Sequence, residues 1–140
     1  MCIDEKRFEQ AKNRVIGINR ERQGIGTLSE KTVHAVLKNY YAPDTDMHEI
    51  PIAHFVADIY TGSEIIEIQT RSFNNMRRKL AAFLPEYPVT IVYPIPHVKW
   101  LSWIDEETGE MSPKRKSPKK GNPYQAFIEL YKIRPFLTDE

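Results

Sequence analysis

The run Ala57-Asp58-Ile59-Tyr60-Thr61-Gly62-Ser63-Glu64-Ile65-Ile66-Glu67-Ile68-Gln69-Thr70-Arg71 decides how this chain is read. It predicts two strands, 55–60 and 64–71, joined at Thr61-Gly62-Ser63 as an antiparallel hairpin. Side chains alternate across a strand, so Ile65, Glu67, Gln69 and Arg71 share one face, and Glu64, Ile66, Ile68 and Thr70 the other. Three consecutive positions of one face are thus polar within an aliphatic strand. With Asp58 on the preceding strand, its carboxylate can approach that of Glu67. Two carboxylates held close repel each other unless something positive joins them. A hard divalent cation suits that role, because Mg²⁺ takes few carboxylate oxygens, keeps several waters and accepts phosphate oxygens. Such an ion can activate water and neutralise charge on a phosphodiester under attack.

The flanking sequence alternates between helix and strand signals. Thr27-Leu28-Ser29-Glu30 fits a capping box, and Val33, Val36, Leu37, Tyr40 and Tyr41 follow at helical spacing until Pro43 and Asp44. Residues 48–52 read as a short strand, placed at an edge by Pro51. Ser72 can cap a helix with Phe73, Met76, Leu80, Phe83 and Leu84 as its buried stripe, closed by Pro85 and Pro88. Residues 89–93 are the most β-prone run of the chain. Toward the N-terminus, Phe8, Ala11, Val15 and Ile16 mark a short amphipathic helix over 4–16. Beyond Pro96, residues 98–104 and the turn 105–109 predict a further hairpin, followed by a lysine-rich loop over 113–121. A last helix opens on Asn122 and Pro123 and is expected to bury Phe127, Ile128, Leu130 and Tyr131. The order predicts a single α/β domain over 1–140, a mixed central sheet flanked by helices. Its core spans about 27–93, with a hairpin and helix added over 97–140.

Asp58, followed across a short turn by Glu67-Ile68-Gln69, resembles the signature of the PD-(D/E)XK nuclease superfamily, whose restriction-endonuclease-like core has the same order of one helix, three strands, a helix and a strand. The resemblance implies metal binding by Asp58, Glu67 and the Ile68 carbonyl, with Mg²⁺ or Mn²⁺ as the cofactor. Gln69 stands where the superfamily usually carries lysine, and it would orient a water. Glu30 matches the place of an additional acidic ligand in some members. The implied activity is metal-dependent hydrolysis of phosphodiester bonds in nucleic acid, with DNA as the first expectation. Two copies of the chain would be called for if both strands of a duplex are cut.

Each of these residues also has a plainer explanation. Glu67 and Arg71 can pair diagonally on a solvated strand face, and the capping box accounts for Glu30 without a metal. His34, His48, His54 and His97 lack the spacing of a zinc site, and Arg77-Arg78-Lys79 reads as a solvated helix face. Lys114, Arg115, Lys116, Lys119 and Lys120 are five cations in seven residues beside Trp100 and Trp103. They suit phosphate contact with base stacking, or else a solubilising loop offset by Asp105, Glu106, Glu107 and Glu110. The rival functions are a nucleic-acid-binding module on the same fold, without catalysis, and a protein-interaction domain.

Composition narrows the field further. Twenty basic and nineteen acidic residues leave a charge of +1, so only the distribution of charge can speak for a polyanionic partner. The single cysteine, Cys2, rules out an internal disulfide and a thiolate zinc site. The sequence has neither a membrane-length apolar run nor a leader-like apolar stretch near Met1, so a cytoplasmic location is expected.

Overall fold

Tight turns lay three short strands side by side, and a helical crossover adds a fourth. In the computed structural model, which describes residues 3–22 and 30–137, β1 (His48–Ile52), β2 (Phe55–Tyr60), β3 (Ile65–Ile68) and β4 (Val89–Val92) lie in that order in one sheet. The β1–β2 and β2–β3 pairs are antiparallel, whereas β4 runs parallel to β3. Gly62, at φ 94°, supplies the left-handed turn between β2 and β3 that other residues adopt poorly. Pro51 sits on edge strand β1, as its missing N–H requires. The sheet is mixed and the class is α/β, as the order of signals predicts.

The helices divide between the two faces. α1 (Glu5–Arg22) packs on α2 (Glu30–Tyr41), and Leu37 of α2 buries Ile59, Ile66 and Ile68 beneath it. The opposite face carries a 3₁₀ turn (Phe73–Met76) running into α3 (Arg77–Phe83), the crossover to β4. There Phe83 closes on Ala57 and Ile65, while Phe73, Met76 and Leu80 meet Ile133. All four β3 residues are buried, so the half-solvated strand with a Glu67–Arg71 pair is not what forms. β3 is also shorter than the predicted 64–71, because Gln69 Oε1 accepts the Arg71 amide at 3.0 Å and turns the chain away.

Beyond β4, Trp100–Leu101 (β5) and Arg115–Lys116 (β6) pair as a two-stranded ribbon. The lysine-rich segment is therefore partly the ribbon's return strand and not a loop throughout. α4 (Gln125–Lys132) follows, and Asn122 Oδ1 accepts the Tyr124 amide at the turn ahead of it. Phe127, Ile128 and Tyr131 of α4 are exposed, contrary to the expected burial, and the helix attaches through Leu130 and Ile133 instead. Among the described residues, no helix is long and apolar enough to cross a membrane.

Candidate functional site

The β2–β3 register sets Ile59 opposite Ile66, which makes Asp58 the cross-strand neighbour of Glu67. At this point carboxylates enter the ladder. Glu67 Oε1 accepts the Asp58 amide at 3.1 Å, and Asp58 Oδ2 accepts the Ile68 amide at 2.8 Å. The regular alternation of β2 breaks at the same place. Ala57 packs under α3 and Ile59 under α2, although two residues apart should share a face. On β1, Glu49 falls between the pairs His48–Ile59 and Ile50–Ala57, and it takes a left-handed backbone with φ 55°. Such a conformation is strained for a residue with a Cβ, and strain of this kind gathers at functional sites.

Each carboxylate also has a basic partner from a helix. Lys79 Nζ of α3 donates to Glu67 Oε2 at 2.6 Å, and His34 Nε2 of α2 lies 3.2 Å from Asp58 Oδ2. Burial of Glu67, only 3% exposed, pushes its carboxyl up; the charge of Asp58 adds to this, and together they outweigh Lys79 and the Asp58 amide. Burial works in the same direction on Asp58. There it loses to the hydrogen bonds from His34 and the Ile68 amide and to the electrostatic pull of His34 and Lys79, so that carboxyl lies below its ordinary value of 3.8. The two acids thus diverge in proton affinity, a common arrangement in sites that handle protons or cations.

A cleft of about 500 Å³ opens between the Glu30–His34–Lys38 stripe of α2, Glu49 of β1, and Thr70 and Arg71, and of the two acids and their helix partners only His34 lines it. The buried Lys38 donates to Glu49 across it at 2.7 Å. Glu30, the additional ligand that the resemblance suggests, is engaged within the chain. Arg71 grips it through two nitrogens, Nε and Nη2, at 2.8–3.1 Å, Thr70 Oγ1 donates to it at 2.5 Å, and these bonds, Arg71's foremost, lower its pKa. The rest of the expected capping box, residues 27–29, lies outside the described residues. Among the described residues, no three His, Cys, Asp or Glu side chains form a group able to cage a metal ion.

Of the residues expected at the site, Asp58, Glu67 and the Ile68 backbone come together. Gln69 stands next to them with its amide oxygen committed to Arg71. Lys114, Arg115, Lys116, Lys119, Lys120 and Trp100 are exposed on the ribbon and the segment after it. Lys79 is expected from the sequence in a solvated face with Arg77 and Arg78. Those two are exposed, but Lys79 turns inward to Glu67. The periodicity held the clue, because Lys79 stands three residues after Met76 and four before Phe83, on the buried stripe of its helix. Likewise Glu30, His34 and Lys38 share one stripe at i, i+4 and i+8. No sequence spacing joined His34 to Asp58.

No solved structure matches this chain. An uncharacterised protein of Treponema pallidum (strain Nichols) is 29% identical over 117 residues, covering 83% of this chain and 46% of that relative, so the chain spans less than half its length. The model of a domain of unknown function, DUF8091, matches residues 31–140, a stretch that holds His34, Asp58, Glu67 and Lys79 together with the whole ribbon and α4. By that match over most of its length, the chain belongs to the DUF8091 family.

Proposed function

We propose that this protein hydrolyses phosphodiester bonds in nucleic acid, DNA as the first candidate, with Mg²⁺ or Mn²⁺ held at Asp58 and Glu67, on a fold related to the PD-(D/E)XK nucleases. The observation that carries the proposal is two acids on the neighbouring strands β2 and β3, each carboxylate accepting a backbone amide of the other strand, with an ammonium 2.6 Å from Glu67. The donor set fits a hard cation. Two oxygen-donor side chains from neighbouring strands, one pushed up in pKa partly by the other's charge, leave a repulsion that a divalent ion relieves. Mg²⁺ needs only one or two protein carboxylates and fills its shell with water, so a third acidic side chain is not required. The Ile68 carbonyl is the further donor that the resemblance suggests. A bound cation supplies Lewis acidity toward water and a phosphoryl oxygen.

The remaining work falls to the chain's own groups. His34 and the Ile68 amide hold Asp58 ionised and fixed in orientation. Lys79 takes the role of the positive charge missing at Gln69, donating to negative charge that develops on the attacked phosphate. Gln69 has its amide oxygen committed at the turn, so orienting water is at most a secondary part for it. The setting for such chemistry is the cytoplasm. The non-catalytic binding module is favoured by one observation of its own: Asp58 and Glu67 already have partners within the chain.

The test is cleavage of labelled single-stranded and duplex oligonucleotides by the parent, Glu67→Gln and Lys79→Gln, in Mg²⁺, in Mn²⁺ and in EDTA. Metal-dependent cleavage is expected from the parent and lost in Glu67→Gln, with Lys79→Gln slower by roughly 10²–10³-fold, the usual scale for losing one preorganised donor. A parent that cuts nothing in either metal leaves the binding module. A Glu67→Gln protein that cuts at the parental rate moves the chemistry away from this site.

A further inference from the structure

Both tryptophans of the chain lie on the ribbon, and both are exposed, Trp100 at 62% and Trp103 at 76%. Scattered exposed apolar residues are ordinary, but Trp100 stands among cations, whereas Trp103 pairs with Ser112 nearer the tip. Trp100 stands directly opposite Lys116, and Leu101 opposite Arg115. Lys99 precedes Trp100, and its carbonyl accepts the Ser117 amide at 2.8 Å, which carries the ladder on toward Lys119 and Lys120. The acids of the ribbon, Asp105, Glu106, Glu107 and Glu110, gather instead at its tip, where the amides of Glu107 and Thr108 hold the Asp105 carboxylate. Charge is therefore graded along the ribbon, with a basic stem and an acidic tip. The stem is closed by the Gly121 amide on the His97 carbonyl at 3.1 Å. It begins five residues after Val92, whose carbonyl accepts the Gln69 amide beside the Asp58–Glu67 pair.

We infer that this stem binds single-stranded nucleic acid, with phosphates on its cations and a base stacked on Trp100. As a supply line to the Asp58–Glu67 site the inference rests on the hydrolase reading; as a binding surface it does not. A polyanion is the complement of a stem that carries six cations and an exposed indole, Trp100, directly opposite one of them. The indole chooses between duplex and single strand. In a duplex the base faces are covered by their neighbours and only the edges are open, and an indole, with one donor and no acceptor, reads edges poorly. Unstacked bases present their faces, and stacking on an aromatic ring works for any base. A single strand needs one cut, so no second copy of the chain is required.

Because no other tryptophan is present, intrinsic emission reports the stem directly. The full chain is titrated in EDTA, where the hydrolase chemistry is off, with oligo-dT, with oligo-rU and with a DNA duplex of equal length. Quenching by at least one of the single strands is expected, at least tenfold tighter than by duplex, and the two arms tell DNA from RNA. Trp100→Ala should weaken binding roughly tenfold, the scale of one lost stacked base, while Trp100→Phe keeps most of it. Arg115→Gln with Lys116→Gln should lower the salt slope by roughly 0.7 per phosphate contact. Equal binding of duplex, or affinity unmoved by Trp100→Ala, overturns the inference. So does emission that responds to protein concentration and not to oligonucleotide, which marks a contact between copies. If no strand binds in EDTA yet cleavage proceeds in Mg²⁺, the stem falls and the hydrolase stands. If a strand binds but no metal brings cleavage, the hydrolase falls and the stem stands.

Discussion

The two ends of the Glu67–Lys79 bond should respond unequally to removal. Lys79→Met strands a carboxylate that is 3% exposed, and an uncompensated buried charge costs about 3 kcal/mol. Glu67→Gln keeps an acceptor for the Asp58 amide, ends the repulsion with Asp58, and leaves the partly exposed Lys79 to carry its ammonium to water on a flexible stem. That variant should stay within about 1 kcal/mol of the parent. Denaturant midpoints at neutral pH check both, and a Lys79→Met protein as stable as the parent would refute the account of the pair. The two acids also set opposite pH dependences. Asp58, held low by His34 and the Ile68 amide against its burial, contributes stability above its ordinary 3.8 that disappears as pH falls through its lower folded value. The stability gap between parent and Asp58→Asn should therefore narrow below about pH 4. Glu67, raised by burial and by Asp58, opposes folding when ionised. The stability of Glu67→Gln relative to the parent should accordingly rise as pH climbs from the ordinary 4.5 through the raised folded value, then level off. Stability curves from pH 2 to 8 show both slopes.

Among the elements, the hairpin of β2 and β3 was legible from its turn chemistry, whereas its register was fixed only by the pairing of Ile59 with Ile66. The length of β3 was not legible, since Gln69, Thr70 and Arg71 continue the alternation but are claimed by a side-chain turn and by Glu30 on α2. The ribbon shows the same division. Its turn, with Gly109 at φ 71°, was readable, whereas the closure of its stem depends on contact with the chain leaving β4. A Cβ on Gly121 would lie 2.1 Å from the Pro96 carbonyl oxygen, an overlap with backbone that no rotamer relieves. Gly121→Ala should open the stem at a local cost of about 1–3 kcal/mol. Limited tryptic digestion reads this out. The segment from Lys114 to Lys120 should be cut sooner than in the parent while the main unfolding transition moves little, because the ribbon's strands pair only with each other. Unchanged digestion would show that the stem tolerates the added methyl.

Across the whole molecule, the C-terminal segment is part of the core. Ile133 is fully buried with Phe73, Met76 and Leu80, and Glu129 accepts the Phe73 amide at 2.8 Å while Lys132 bonds Ser72. Ile133→Ala should lower global stability by about 2–5 kcal/mol, seen as one shifted transition in far-ultraviolet circular dichroism that carries the whole loss of signal. A separate, earlier transition that carries only part of the helical signal would make α4 a separate unit. The sequence by itself determined the order of elements, the α/β class and the turn that puts Asp58 and Glu67 on neighbouring strands, because periods, caps and glycines act over a few residues. It could not determine which of two stripes α4 buries. Phe127, Ile128 and Tyr131 are the more apolar choice, yet the side built on Glu129, Leu130 and Ile133 goes inward, since the 3₁₀ turn ahead of α3 offers an amide that Glu129 satisfies. Nor could it place His34 on Asp58 or Lys79 on Glu67. Those partners lie on helices packed against opposite faces of the sheet, and only the closing of both layers over β2 and β3 brings their charges within a hydrogen bond's reach.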